Sequence, residues 1–192
     1  MAVWPYSVLQ RDDDGISDDL RNIVDHFDRI GYAYDLIIFI PEAGRYLWEM
    51  FKGSVDSDVE VAFVTVRRAS TTASSHWLKD AVFKRRVLSD VMRHVEVLVR
   101  LTKRRFGLKQ KMVADLDIDF DPGGRRVLVI DDSVDTGTTM QMVKALLLAK
   151  GAHSVKTACI SNHLVPDKTH VDYAVYRYKL LRTRNSRDYH AI

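Results

Sequence analysis

The residues with chemistry to offer crowd into one short segment. Residues 127–139 read Val-Leu-Val-Ile-Asp-Asp-Ser-Val-Asp-Thr-Gly-Thr-Thr. Four apolar residues, of the kind that form a buried strand, run into the adjacent carboxylates of Asp131 and Asp132. Asp135, Thr136, Gly137, Thr138 and Thr139 then make a hydroxyl-rich turn ahead of a helix-forming stretch. In an open α/β sheet, ligands gather at the carboxyl ends of strands. A helix N-terminus there presents unpaired N–H groups and a partial positive charge, which suits a phosphate. The threonine hydroxyls add hydrogen bonds, and Gly137 lets the backbone approach the ligand closely. Two acids beside a phosphate alone would be repulsive. They fit a ligand that also carries a sugar diol or a magnesium ion, because carboxylates accept from hydroxyls and Mg²⁺ takes oxygen ligands. A phosphorylated ribose with Mg²⁺ meets each requirement. Helix capping explains one Asp or one Thr, but not three of each in thirteen residues.

The elements that must position this segment follow from hydrophobic spacing. Ile16, Leu20, Ile23, Val24, Phe27 and Ile30 recur as in a helix, with Ser17 as the expected N-cap and Gly31 as the stop. Residues 36–40 are wholly apolar, as in a strand buried on both faces. Pro41 ends that run and a second helix fits 45–52. Residues 59–66 read as a strand and 67–75 as a polar loop. Apolar residues from Leu78 to Val99 mark one long helix or two. A strand at 127–130, a helix at 138–150 closed by Gly151, and strands at 155–160 and 171–176 complete the pattern. Such alternation predicts an α/β fold, a mostly parallel twisted sheet flanked by helices. Neither a repeat nor a linker divides residues 1–192, so a single domain is expected.

Composition narrows the function classes. Hydrophobic residues at 46% and charged residues at 29% describe a soluble globular chain. The net charge of +3 is too small to imply nucleic-acid binding, although 84–111 is strongly basic and Asp12, Asp13 and Asp14 make an acidic start. Cys159 is the only cysteine, which excludes an internal disulfide and a cysteine zinc cluster. The first residues lack the basic and apolar regions of a signal peptide, and no apolar run is long enough to cross a bilayer. A cytoplasmic protein with no membrane partner is expected. Asp115, Asp117, Asp119 and Asp121 alternate, but Phe120 and Pro122 stand where a calcium loop needs glycine, so an exposed strand or hairpin is the reading. There is no Gly-x-x-x-x-Gly-Lys loop, and the histidines show no metal-ligand spacing.

The run 127–139 resembles the signature with which type I phosphoribosyltransferases bind 5-phosphoribosyl 1-diphosphate (PRPP). That signature is four apolar residues, two acids, two further residues and a phosphate turn; the layout from Ile16 to Tyr176 also resembles the family core. The resemblance implies that Asp131 and Asp132 hold the ribose hydroxyls and, indirectly, Mg²⁺. Asp135, Thr136, Gly137, Thr138 and Thr139 would cradle the 5′-phosphate. The Asp-Thr-Gly form at 135–137 is similar to that of the 6-oxopurine (hypoxanthine, guanine, xanthine) enzymes, in which the residue matching Asp135 is the catalytic general base or acid. The family's pyrophosphate loop matches Ala43, Gly44 and Arg45, with Glu42 as a departure. Its mobile loop matches Arg67, Arg68 and Ser70, followed by Thr71 and Thr72. Closure of such a loop excludes water from an oxocarbenium-like transition state, and arginines stabilise the departing pyrophosphate.

Two further departures stand out. A basic helical insertion at about 76–111 is longer than the family pattern, and the segment expected to form a small hood, about 161–192, matches loosely. Ser161, Asn162, His163 and Lys168 stand near the place of the purine enzymes' base-reading lysine. Tyr176, Tyr178 and Tyr189 are candidate stacking residues, and Asp188 a candidate metal ligand. The implied activity is Mg²⁺-dependent phosphoribosyl transfer from PRPP to a nitrogenous heterocycle, a 6-oxopurine first, by a homodimer or homotetramer. The alternative is a non-catalytic sensor of PRPP or a nucleotide, whose basic helix touches nucleic acid or a partner. Glu42 and the unmatched tail favour the sensor; Asp135 and the loop at 67–72 oppose it, and nucleic acid is not the favoured partner.

Overall fold

The computed structural model describes residues 7–68, 114–163 and 171–184. The insertion at 76–111 therefore lies outside the described residues, as do Ser70, Lys168, Asp188 and Tyr189. The elements in chain order are β1 (Ser7–Gln10), α1 (Asp13–Arg29), β2 (Leu36–Phe39), α2 (Pro41–Phe51), β3 (Glu60–Phe63), β4 (Thr65–Arg68) and β5 (Ala114–Asp117). Then come β6 (Arg126–Val134), α3 (Thr138–Ala149), β7 (Ser154–Asn162), β8 (Tyr173–Arg177) and β9 (Lys179–Arg182).

Five strands form a fully parallel sheet in the order β3-β2-β6-β7-β8. Side chains alternate across it. Leu36, Ile38, Val127 and Val129 pack with Met140, Val143 and Leu147 of α3 on one face. Ile37, Phe39, Leu128 and Ile130 pack on the other, against Ile16, Leu20, Ile23 and Phe27 of α1 and Leu47 and Phe51 of α2. Burial on both faces is why β2 and the first half of β6 are unbroken apolar runs. Truncating a fully buried member such as Leu128 to alanine costs about 2–5 kcal/mol.

The sheet order also places the crevice. From β2 the chain crosses outward to β3, while from β6 it crosses the other way to β7. Between β2 and β6 the winding reverses, and at such a switch point an open sheet leaves room for a ligand.

Several boundaries differ from the sequence expectation. Helix α1 begins at Asp13, capped by Asp12, whose Oδ1 accepts the Gly15 N–H at 2.9 Å. Ser17 lies inside it. The helix starts a turn before its first apolar residue because Asp12 caps it and Asp13 and Asp14 suit its positive end. The expected strand at 59–66 is two strands. β3 stays in the main sheet, whereas β4 leaves it to pair antiparallel with β5, Arg67 opposite Asp115 and Arg68 opposite Ala114. The backbone of Arg67 and Arg68 thus stands on a paired strand rather than in an irregular loop, and of the alternating acids Asp115 and Asp117 lie on β5 while Asp119 and Asp121 follow it. Two four-residue strands escaped the sequence reading altogether. β1 and β9, from opposite ends of the chain, pair in parallel with Ser7 opposite Lys179 and Gln10 opposite Arg182. This small sheet, the hood, takes only β9 from the expected segment 161–192 and β1 from the other end of the chain, and it is fastened to the carboxyl end of β7. Ser161 Oγ donates to the Lys179 carbonyl at 2.6 Å and the Tyr178 N–H donates to the Asn162 carbonyl at 2.8 Å.

Candidate active site

Strand β6 runs on past its apolar half, so Asp131 and Asp132 sit on extended backbone within the ladder rather than beyond it. Asp131 stands opposite Cys159, and Ser133 opposite Ser161. Both carboxylates are half-buried and steadied by the next residue. Asp131 Oδ1 accepts the Asp132 N–H at 2.9 Å, and Asp132 Oδ1 accepts the Ser133 N–H at 2.6 Å. The Ser133 hydroxyl adds a weaker bond to the same oxygen at 3.3 Å. Sequence reasoning passed over Ser133, which orients the second acid. Burial pushes the Cys159 thiol well above its ordinary pKa, and the charges of Asp131 and Asp132 push it further. Cys159 is thus a protonated, inert wall beneath the acids.

The turn after β6 is short. Asp135 is half-buried and Thr136 exposed. Gly137 is buried and left-handed, with φ of 75°, and it is the N-cap of α3. Only glycine takes that conformation without steric cost, which is a firmer reason for Gly137 than close approach alone. As a cap it supplies no side-chain oxygen, and the side-chain contact to the helix start is a long one, the Thr136 Oγ1 accepting the Thr138 N–H at 3.4 Å. The Thr136 and Thr138 hydroxyls lie 2.9 Å apart at the same terminus. An anion would meet the amides of α3 and these hydroxyls together.

On the other side of the switch point, the Ile40 N–H donates to the Ile130 carbonyl at 3.1 Å and holds the ends of β2 and β6 together. Pro41 then opens α2 at once; its fixed φ and missing N–H suit the first helical position. Ala43, Gly44 and Arg45 consequently occupy the first turns of a helix, where the sequence suggested a loop. A Cβ on Gly44 would lie 2.9 Å from the Phe39 Cβ, so helix-to-strand packing alone demands glycine there. Arg45 is exposed, its guanidinium 5.9 Å from the Phe63 ring centre. Helix α2 also lacks a side-chain cap. Two helix N-termini, from helices on opposite faces of the sheet, therefore border one crevice that holds Asp131, Asp132 and Asp135.

Beyond β7 the site meets the hood. The His163 N–H donates to the Val134 carbonyl at 2.9 Å, beside Asp135, and its Nε2 accepts the Leu181 N–H at 3.4 Å. Tyr176 is engaged elsewhere: its hydroxyl donates to Asp19 and the Arg11 guanidinium lies 4.9 Å over its ring. Tyr178 holds a left-handed φ of 59° at the β8–β9 corner with its side chain partly exposed.

Residues 41–185 match the family profile described as "Phosphoribosyl transferase domain". This chain belongs to that family. The phosphoribosyltransferase is similar in fold to the purine phosphoribosyltransferase from Pyrococcus horikoshii Ot3, with a TM-score of 0.56 and 16% identity over 92% of each chain. It is likewise similar to a hypoxanthine phosphoribosyltransferase from Staphylococcus aureus, with a TM-score of 0.52 and 13% identity over 86% of this chain and 73% of that one. A hypoxanthine-guanine phosphoribosyltransferase from Bacillus anthracis str. 'Ames Ancestor' gives a TM-score of 0.51 at 13% identity, covering 86% and 78%. At these identities the likeness is one of fold. The search of curated proteins found no match to the phosphoribosyltransferase. Among the described residues, no helix is long and apolar enough to cross a membrane.

Proposed function

We propose that this phosphoribosyltransferase carries the 5-phosphoribosyl group of PRPP to a ring nitrogen of a 6-oxopurine-like base, with Mg²⁺, and releases pyrophosphate. The supporting observation is the β6–α3 turn. It joins paired carboxylates to a helix N-terminus, through a glycine N-cap in the left-handed region, at the switch point of the sheet.

In this reading Asp131 and Asp132 accept hydrogen bonds from the ribose hydroxyls, and Thr136, Gly137, Thr138 and Thr139 take the 5′-phosphate at the start of α3. Ala43, Gly44 and Arg45, at the start of α2, receive the leaving pyrophosphate. Arg67, Arg68 and Ser70, in the segment after β3, would neutralise charge and exclude water. Asp135 takes or holds a proton on the acceptor nitrogen. Most of the rate comes from positioning and from charge stabilisation on the leaving group.

The donor set suits magnesium that arrives with substrate. Among the described residues no three acidic, histidine or cysteine side chains converge on a metal position. Mg²⁺ typically uses one or two carboxylates together with substrate phosphates, a part open to Asp131 and Asp132. Bound there it would offset charge on the departing pyrophosphate; Asp188 is proposed as a further ligand. The 6-oxopurine preference rests on the Asp135-Thr136-Gly137 sequence. The setting proposed is a cytoplasmic homodimer or homotetramer.

The test is pyrophosphate release from PRPP and Mg²⁺ with a pool of purine and pyrimidine bases, products being identified by mass. A nucleoside monophosphate is expected. PRPP binding without product would move the chain to the sensor reading, and absence of both would overturn the proposal.

A further inference from the structure

The acidic start of the chain and the buried face of α1 contain a polar cluster that the phosphoribosyl site leaves unused. Asp19 lies on α1 and is only 2% exposed. Helical spacing put it there, three residues after Ile16 and one before Leu20, both fully buried. Both its oxygens are occupied. Oδ2 accepts Arg11 Nε–H at 3.0 Å, and Oδ1 accepts the Tyr176 hydroxyl at 2.9 Å. The Arg11 guanidinium also donates to that hydroxyl, which closes the triangle.

Each partner belongs to a different segment. Arg11 follows β1, and its N–H donates to the carbonyl of Arg182, the last residue of β9, at 2.9 Å. Tyr176 stands on edge strand β8, two residues before the left-handed Tyr178 corner that turns the chain into β9. The same corner is tied to Asn162 at the carboxyl end of β7. One buried carboxylate thus joins α1 to both arms of the β8–β9 corner, directly through Tyr176 and through Arg11.

We infer that Asp19 is a positioning residue for the acceptor side of the active site, setting through Arg11 and Tyr176 where the hood stands beside the carboxyl end of β7. The inference rests on the transferase reading above. Energetics argue for position over stability. Burial outweighs the attraction of Arg11 and raises the Asp19 pKa to about 6. A carboxylate held at such a cost adds little net stability, whereas its geometry is specific. Asp131, Asp132 and the α3 terminus lie on β6 and α3, which this triangle does not touch, so PRPP binding is independent of it.

The experiment compares Asp19→Asn and Tyr176→Phe with the wild type. The readouts are steady-state kinetics with hypoxanthine at saturating PRPP and Mg²⁺, PRPP calorimetry, and hydrogen exchange at the amides of Leu180, Leu181 and Arg182. The expected result is a hypoxanthine KM raised on the order of tenfold in Asp19→Asn and about threefold in Tyr176→Phe. PRPP affinity and kcat should stay within about twofold, and the three amides should exchange faster. A merely structural role would lower the active fraction without moving KM. Wild-type KM in the variants, or unchanged protection of the hood amides, overturns the inference. If Asp19→Asn does not fold, Tyr176→Phe decides, because it removes one hydroxyl and keeps the Arg11 pair. Failure of the transferase reading looks different: the wild type then makes no nucleotide, and exchange at β9 in Tyr176→Phe alone decides whether the triangle holds the hood.

Discussion

The turn at residues 131–139 and the hood meet at one crevice but are made in opposite ways. The turn is contiguous. Nine residues from Asp131 to Thr139 carry its carboxylates, its left-handed glycine and its hydroxyls, and neighbours orient one another: Asp132 N–H on Asp131, Ser133 on Asp132, Thr136 beside Thr138. The hood is assembled from remote pieces. β1 and β9 come from the two ends of the chain, and the hydroxyl bond between Tyr176 and Asp19 spans 157 residues. A contiguous site tolerates change elsewhere and fails on single local substitutions. An assembled one degrades through residues that never meet a ligand.

The largest expected effect strikes the turn. Asp135→Asn should lower turnover by about 10²–10⁴-fold while PRPP affinity changes little, as loss of a general base or acid does. Wild-type turnover in this variant would remove Asp135 from the chemistry. Gly137→Val comes next. A β-branched residue at φ of 75° is strained, so PRPP affinity should fall on the order of 100-fold while the thermal transition persists. Unchanged calorimetric affinity would displace the phosphate from α3.

Beyond its effect on the hypoxanthine KM, the hood's buried carboxylate should show in the pH dependence of stability. The Asp19 pKa stands at about 6, above its ordinary 3.8, chiefly because of burial. The folded state therefore holds a proton that the unfolded chain has lost between those values. Stability from this group is fully present below about pH 4 and is lost as pH rises to about 6, by as much as about 3 kcal/mol. Asp19→Asn should flatten that slope, which urea titration at several pH values would read as a difference from the wild type. Equal slopes would contradict the burial of a titrating Asp19.

The smallest effect belongs to a control at the amino ends of the central strands β2 and β6, opposite the crevice. Two side-chain bonds from Arg126, at 2.7 and 3.2 Å, hold the Asp35 pKa at about 2. The pair is about two-fifths exposed, so solvent screens it. Asp35→Asn should cost less than about 1 kcal/mol and leave PRPP binding and the hypoxanthine KM unchanged. The depressed pKa means its contribution is present above about pH 4 and lost as pH falls towards 2. A measurable change in either ligand constant would show that the two ends of the sheet are coupled.

Much of the fold was legible because its signals are local. The apolar runs of β2 and β6, the spacing of Ile16, Leu20, Ile23 and Phe27, and Gly151 after α3 each follow from a short-range periodicity. Boundaries were harder where capping decided them: Asp12 displaced Ser17, and Pro41 began a helix at once. The strand β4 was hidden because a strand that leaves a sheet at Val64 and one that continues through it have the same composition.

Sequence alone determined the parallel α/β class, the sheet core and the crowding of carboxylates, hydroxyls and a glycine at residues 131–139, since residues no more than eight apart must share one turn. Tertiary structure decided the rest. It set the burial of Asp19 between Arg11 and Tyr176, the packing demand on Gly44 from Phe39, the pairing of Arg67 and Arg68 with β5, and the joining of β1 to β9. Those contacts are made when distant segments close on one another, and four-residue strands carry too little pattern to foretell which partner they will find.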